Sequence, residues 1–411
     1  MTLDQTLVVV GAGLAGAKAA EGARVAGFDG RLVLVGDEPE LPYERPPLSK
    51  AVLRGEAAPE TARVHDEGFY GGHDIELVTG RTVEGLDLDK GRIVLDGGEP
   101  LPFTSAVLAT GAEPRRLDVP GSGLDGVHHL RSVGDARRLA DAIRGARRVA
   151  VVGAGWIGSE VAASARQMGA EVVLIDPGPV PLRRVVGDEI GGVFRRLHSD
   201  HGVELRLPGG VAELRDKGRG AVEQVVLRDG TVEDADVVVV GIGVTPRVDL
   251  AVAAGLPVDG GILVDPHLES SAAGIYAAGD VASAWNHRYD RYLRVEHWSN
   301  ALHQGLVAGT NAGGGDETHT RLPYFFSDQY DLGLEYVGQS DPGDTVVVRG
   351  SLADRAFVAF WWRDGVVTAA LHVNVWDAIG DLRAIVTAGR ALDPRRLADP
   401  GVPLAELAEP L

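Results

Sequence analysis

Short apolar runs alternate with small-residue and amphipathic stretches along most of the chain. Thr6 to Val10 is a β-branched run, Gly11-Ala12-Gly13-Leu14-Ala15-Gly16 follows it, and Ala-, Glu- and Arg-rich sequence of helical character continues to about Ala26. Arg31 to Val35 is the next apolar run and ends in Gly36-Asp37-Glu38. The same order recurs later. Arg148 to Val152 leads into Gly153-Ala154-Gly155-Trp156-Ile157-Gly158, then a helical stretch to about Met168, then Glu171 to Ile175 ending in Asp176. Continuous apolar runs separated by helical periodicity predict two β-turn-α-β units.

A second pair of matching segments follows. Ser105 to Ala109 ends in Thr110-Gly111 with Pro114-Arg115 close behind, and Asp236 to Val240 ends in Gly241-Ile242-Gly243 with Pro246-Arg247 close behind. Arg81 to Asp96 and Ala221 to Asp234 alternate around Asp-Lys-Gly and Asp-Gly turns, which predicts β-hairpin insertions. After about Leu322 the texture changes. Aromatic and β-branched clusters at Tyr324 to Phe326, Val346 to Val348 and Phe357 to Trp362 predict a small antiparallel sheet, with a helix near Asp377 to Ala388. The Pro- and Glu-rich stretch from Asp399 to Leu411 is expected to wrap the surface.

Composition narrows the function. The 411 residues suggest roughly two to three domains, and 45% hydrophobic with 24% charged residues is ordinary globular usage. A net charge of −19 repels phosphate backbones and anionic lipid, so neither nucleic acid nor membrane is the expected partner. With 0 Cys there is no disulfide, no thiolate metal site, no iron–sulfur cluster held by this chain and no Cys-x-x-Cys relay. The beginning Met-Thr-Leu-Asp-Gln lacks signal-peptide character and no apolar run is long enough for a membrane helix, so a cytoplasmic protein is expected. The 12 His form no metal signature and are read as structural or surface residues; no Gly-x-Ser-x-Gly elbow is present.

The two glycine fingerprints carry the strongest chemistry. A dinucleotide pyrophosphate is doubly negative, and a helix N-terminus offers free N–H groups and the positive end of a dipole. Gly11 permits the tight turn, Gly13 lets backbone approach the phosphates, and Gly16 lets helix and sheet pack closely; Gly153, Gly155 and Gly158 repeat those roles. Asp37 and Asp176, at the ends of the second strands, can accept ribose hydroxyls. A single fingerprint is weak evidence, but two in matching context predict two dinucleotide sites. Two nucleotides in one chain imply electron flow between cofactors, commonly flavin and nicotinamide.

Pro42-Tyr43-Glu44-Arg45-Pro46-Pro47-Leu48-Ser49-Lys50, Thr110-Gly111, Gly279-Asp280, Glu296-His297-Trp298 and Phe326-Ser327-Asp328-Gln329-Tyr330 occur in order along nearly the whole chain. Together they resemble the FAD-dependent NADH:ferredoxin and rubredoxin reductases, such as the putidaredoxin, rhodocoxin and biphenyl-dioxygenase ferredoxin reductases. The resemblance implies an α/β fold of glutathione-reductase type, with two Rossmann-like nucleotide-binding domains and a C-terminal α+β interface domain. It divides the chain into an FAD-binding domain in two pieces, 1–115 and 248–321, an NAD-binding domain, 116–247, and the C-terminal domain, 322–411.

Site residues are implied in the same way. Gly11, Gly13, Leu14, Ala15, Gly16, Asp37, Glu38 and Arg45 belong to the FAD site, with Ala15 and Asp37 at its adenosine half. Val83 and Arg131 border the adenine and pyrophosphate region. Ala109, Thr110, Gly111, Gly279, Asp280, Glu296 and His297 complete the surroundings, Asp280 at the ribityl or pyrophosphate end and Trp298 along the ring. Gly153, Gly155, Trp156, Ile157, Gly158, Asp176, Gly241, Ile242 and Gly243 belong to NADH. Lys50 is implied beside the isoalloxazine, and Glu160 near both the nicotinamide and Lys50; these two are the catalytic candidates. No metal is implied.

The implied reaction moves hydride from NADH to FAD, and single electrons onward to an external [2Fe–2S] ferredoxin that serves an oxygenase. Better-known members often carry Trp where this chain has Phe325 or Phe326, which weakens the expectation of an aromatic electron conduit. The alternatives are NADH:rubredoxin reductase, NADH oxidase, and a redox-sensing interaction protein like apoptosis-inducing factor. Arg288, Arg291 and Arg294 are the basic candidates for ferredoxin docking on an acidic chain, against an equally weighted reading as solvated surface.

Overall fold

The computed structural model describes residues 5–97 and 100–409. The chain folds into two compact units. The first comprises the described parts of Met1–Arg45, Glu60–Glu113 and Thr245–Arg321; the second comprises Pro46–Pro59, Pro114–Val244 and the described part of Leu322–Leu411.

The first unit is built on a five-stranded parallel sheet, in the spatial order Ile275–Ala277, Ser105–Leu108, Thr6–Val10, Arg31–Val35, Ile75–Val78. Thr6–Val10 lies at its centre and every residue of it is buried, which is why the run is apolar without alternation. Helix Leu14–Val25 follows the first glycine turn and packs against helix Trp298–Ala312. The two backbones approach very closely. A Cβ on Gly309 would stand 1.9 Å from the Ala19 carbonyl oxygen, and one on Gly305 would stand 2.4 Å from that of Ala15. The expected hairpin at 81–96 is Val83–Asp87 paired with Arg92–Leu95, extended by a third strand, Leu101–Pro102.

The second unit contains two five-stranded sheets. One is parallel, in the order Glu204–Arg206, Glu171–Ile175, Arg148–Val152, Val237–Val240, Val127–His128, with helix Trp156–Gln167 after the second glycine turn. The other is antiparallel, in the order Tyr324–Gln329, Leu332–Gly338, Val366–Val373, Ala356–Arg363, Thr345–Ser351. The second expected hairpin is Gln224–Leu227 with Val232–Asp234, joined by Val211–Arg215.

Two features explain why Pro46–Pro59 and the C-terminal segment group with the second unit. Leu53 is fully buried in the core beneath the parallel sheet. Helix Arg183–Asp200 lays Val186, Ile190, Val193, Phe194 and Leu197 on the antiparallel sheet, against Leu334, Tyr336, Phe357 and Leu371. The opposite face of that sheet is covered by helix Ile379–Ala388. The last described stretch runs mostly exposed over the surface, as expected, but contains a short helix with one buried anchor. Leu404–Ala408 is a helix, and Leu407 is 0% exposed in the same core, because its apolar side chains share one face. Residues 410 and 411 lie outside the described residues. No helix among the described residues is long and apolar enough to cross a membrane, and no group of three or more His, Asp or Glu there could hold a metal ion.

Candidate active site

The two glycine turns repeat one geometry, each within its own unit. Gly11 has φ +108°, and a Cβ there would stand 2.2 Å from the Ala109 carbonyl oxygen; Gly153 has φ +103°, and a Cβ would stand 2.3 Å from that of Gly241. Both positions therefore demand glycine for shape alone. Gly13 and Gly155 differ. Each precedes a helix as its N-cap without a side-chain cap, and a Cβ on either would meet nothing within 4 Å. Each helix thus begins at an uncapped glycine with open space on its Cβ side, where an anionic pyrophosphate could approach the backbone. Gly16 and Gly158 close each turn, their would-be Cβ atoms 1.8 and 1.9 Å from the carbonyl oxygens of Gly11 and Gly153. The residues present fit one dinucleotide at each turn.

Around the first turn, Leu14 and Ala15 are buried at the start of the helix. Asp37 pairs with Arg247 at 2.9 Å, and Thr110 Oγ1 donates to the Arg247 carbonyl at 2.7 Å. Glu38 pairs with Arg45 at 3.1 Å and accepts from the Tyr43 hydroxyl. Gly279 donates its N–H to Gln304 Oε1 at 2.9 Å, which fixes the backbone leading into Asp280. His297 caps helix Trp298–Ala312, its Nδ1 accepting from the Ser299 N–H at 3.3 Å, so Trp298 opens that helix. Glu296 pairs with Arg294. That pairing, and only 20% exposure of its side chain, ties Arg294 into local structure. Arg291 lies on strand Arg291–Leu293, paired antiparallel with Ala282–Asn286, so the basic candidates sit on a hairpin. Val83 lies on the antiparallel insert of the first unit, whereas Arg131 belongs to the second unit, just before helix Val133–Gly145.

Around the second turn, Asp176 accepts from the Ala154 N–H at 2.8 Å and the Gly178 N–H at 2.7 Å. Each carboxylate oxygen keeps acceptor capacity for a further donor. Arg183 is bound to both oxygens of Asp188, at 2.6 and 3.2 Å. Trp156 stacks on Phe325 with ring centroids 6.2 Å apart, and Ile157 is 43% exposed beside it in sequence. Gly241, Ile242 and Gly243 continue from strand Val237–Val240, with Ile242 packed on the core below.

The second unit also assembles a buried ionic centre. Lys50 Nζ donates to Glu160 Oε2 at 2.7 Å, and the Ser49 hydroxyl donates to the same oxygen. Ser327 Oγ donates to Glu160 Oε1 at 2.7 Å. Glu160 is 3% exposed, so three donors replace the water its carboxylate has lost. The donors come from the turn Pro46–Ser49 with its following residue and from strand Tyr324–Gln329, while Glu160 projects from helix Trp156–Gln167. Lys50 Nζ also lies 5.7 Å from the centre of the Phe326 ring. Burial pushes the Asp328 carboxyl upward; Lys50 opposes that, and Glu160 and Glu335 reinforce it. Lys50 and Glu160 are both legible in the sequence as candidates, but their hydroxyl donors are not. Ser49 stands beside Lys50, and Ser327 lies within a motif that signals family likeness without marking the serine itself.

The pyridine nucleotide-disulphide oxidoreductase model matches residues 5–305, and the reductase C-terminal model matches 324–408. The ferredoxin–NAD(+) reductase component of the anthranilate 1,2-dioxygenase system of Burkholderia cepacia is 41% identical over 97% of this chain and 98% of its own. Putidaredoxin reductase CamA of Pseudomonas putida is 35% identical over 99% and 97%. Among solved structures, the ferredoxin reductase for the CYP199A2 system of Rhodopseudomonas palustris superposes with a TM-score of 0.95 at 36% identity, covering 98% of this chain and 100% of that one. A covalent putidaredoxin reductase–putidaredoxin complex gives 0.95 at 35%, covering 99% and 98%. With a match across nearly three quarters of its length, two dinucleotide turns, and the C-terminal reductase module behind them, the chain belongs to the pyridine nucleotide-disulphide oxidoreductase family.

Proposed function

We propose that this oxidoreductase takes a hydride equivalent from NADH onto FAD and passes single electrons to a [2Fe–2S] ferredoxin that serves an oxygenase. The observation that carries the proposal is a pair of dinucleotide turns in a chain with 0 Cys. Dithiol chemistry inside this chain is thereby closed, so the electrons leave to an external acceptor. The full-length likeness to ferredoxin reductase components supports a ferredoxin as that acceptor. Bound flavin supplies the conversion between a two-electron donor and a one-electron acceptor.

The chain's own contribution is binding and fixed charge. Amides after Gly13 and Gly155 hold the pyrophosphates, and Asp37 and Asp176 face the riboses. The Lys50–Glu160 pair supplies a cation whose position is set by a buried carboxylate, so no reorganisation is needed when charge develops. The test is direct. The purified chain is expected to be yellow, and NADH-driven cytochrome c reduction to depend on added [2Fe–2S] ferredoxin. A colourless preparation, or a rate indifferent to ferredoxin, refutes the assignment.

A further inference from the structure

The Glu160 carboxylate is the end of a buried polar chain that runs away from Lys50. Ser327 Oγ reaches it at 2.7 Å, Gln329 Nε2 reaches Ser327 Oγ at 3.3 Å, and Gln329 Oε1 meets His198 Nε2 at 3.1 Å. Beyond it, His198 Nδ1 lies 3.5 Å from the Tyr330 hydroxyl. Ser327 and Gln329 are 0% and 1% exposed, and His198 is 0% exposed.

Donor and acceptor capacity fixes the direction of every link. An ionised carboxylate only accepts, so Ser327 must spend its single proton on Glu160. Its oxygen is then an acceptor toward Gln329, which must present its amide nitrogen. The amide oxygen therefore faces His198, whose Nε2 must carry the proton. Nδ1 is left as an acceptor facing the Tyr330 hydroxyl. No member can reverse without leaving two donors or two acceptors face to face in a buried site. Burial holds the imidazole neutral by pushing its pKa down to about 4, and the neutral ring is the form this pattern needs.

We infer that Gln329 and His198 are positioning residues for the reaction: they lock the Ser327 hydroxyl as a donor to Glu160 and so fix the carboxylate that holds Lys50. The inference rests on the proposed role of the Lys50–Glu160 pair. An apolar pair would fill the same sheet–helix interface without burying an amide or an imidazole.

The test uses flavin-loaded protein, NADH, and ferricyanide as an acceptor that needs no docking. His198→Phe keeps the ring and removes the donor; His198→Gln keeps a donor near the Nε2 position; Gln329→Leu removes the middle link. Flavin content and circular dichroism confirm folding. His198→Phe and Gln329→Leu are expected to lower kcat by about two- to tenfold with the KM for NADH unchanged, the size of one hydrogen bond, while His198→Gln restores most of it. The second readout is the ¹⁵N-imidazole spectrum, in which the His198 resonance, identified by its loss in His198→Phe, is expected as the neutral Nε2–H tautomer. An Nδ1–H tautomer overturns the inference. Wild-type kcat in both His198→Phe and Gln329→Leu, with Glu160→Gln impaired, also overturns it. Wild-type kcat in Glu160→Gln itself instead refutes the role of the pair on which the relay acts.

Discussion

Gly153 and Gly155 are two residues apart in one turn, yet the structure assigns them opposite sensitivities. Gly153 has φ +103°, and a Cβ would stand 2.3 Å from the Gly241 carbonyl oxygen. Gly153→Ala therefore incurs about 1–2 kcal/mol from the left-handed backbone and more from the contact, a total of about 3 kcal/mol. At roughly 2–4 °C per kcal/mol for a unit of this size, the melting temperature should fall by about 6–12 °C. Gly155 has φ −76° and ψ −169°, conformations open to alanine, and nothing stands within 4 Å of its would-be Cβ. Alanine there loses about 0.5 kcal/mol as an N-cap and regains about as much from the stiffer unfolded chain. Stability should stay level.

Binding reverses the order. The open space over Gly155 is the space the NADH pyrophosphate is proposed to fill, and a methyl group there holds the phosphates off the helix amides. Losing one charge-assisted hydrogen bond of about 1.5–3 kcal/mol raises the KM for NADH by about 10- to 100-fold. Steady-state kinetics with ferricyanide and thermal melting of the same preparations separate the two effects. A Gly155→Ala protein with wild-type KM, or a Gly153→Ala protein with wild-type melting temperature, would show that the turn has been read wrongly.

The remaining predictions address specificity, pH and packing. Asp176 keeps acceptor capacity for ribose hydroxyls and Arg183 is held by Asp188, so kcat/KM should favour NADH over NADPH by at least about tenfold; equal values refute this reading. His198 and His319 are both pushed by burial from 6.5 to about 4, so the unfolded chain binds protons that the folded chain refuses between those values. Stability should then be full above about pH 6.5 and fall as the pH drops toward 4, by up to about 3 kcal/mol per histidine. Urea unfolding at pH 7.5 and pH 5 checks this, and His198→Phe should remove its share of the slope. Gly309→Val would drive its Cβ into the Ala19 carbonyl oxygen, 1.9 Å from the ideal position, so loss of flavin and of the first unit's cooperative unfolding is expected. A variant with wild-type flavin content and unfolding would exclude that close approach of the two helices.

What could be read from the sequence, and what could not, follows from the range of each signal. The two glycine turns were legible because each residue's role is set within a few positions: strand, turn and helix are contiguous, and the Gly11 and Gly153 constraints recur in identical order. The buried ionic centre has a longer reach. Glu160 takes its partners from residues 49, 50 and 327, separated from it by more than 100 positions in either direction. Sequence periodicity places Glu160 on an amphipathic helix, where a solvated carboxylate is the ordinary outcome. The Pro46–Ser49 turn, Lys50 and strand Tyr324–Gln329 together make it a buried one. The Leu404–Ala408 helix shows the same limit: its Leu407 finds a core whose sheet and covering helix lie earlier in the chain, while the local composition reads as surface. Chemistry that one turn of backbone can supply was therefore visible in order along the chain. Chemistry that needs a serine from one end, a glutamate from the middle and a glutamine from the C-terminal sheet became visible only when the fold brought their polar atoms within hydrogen-bonding distance.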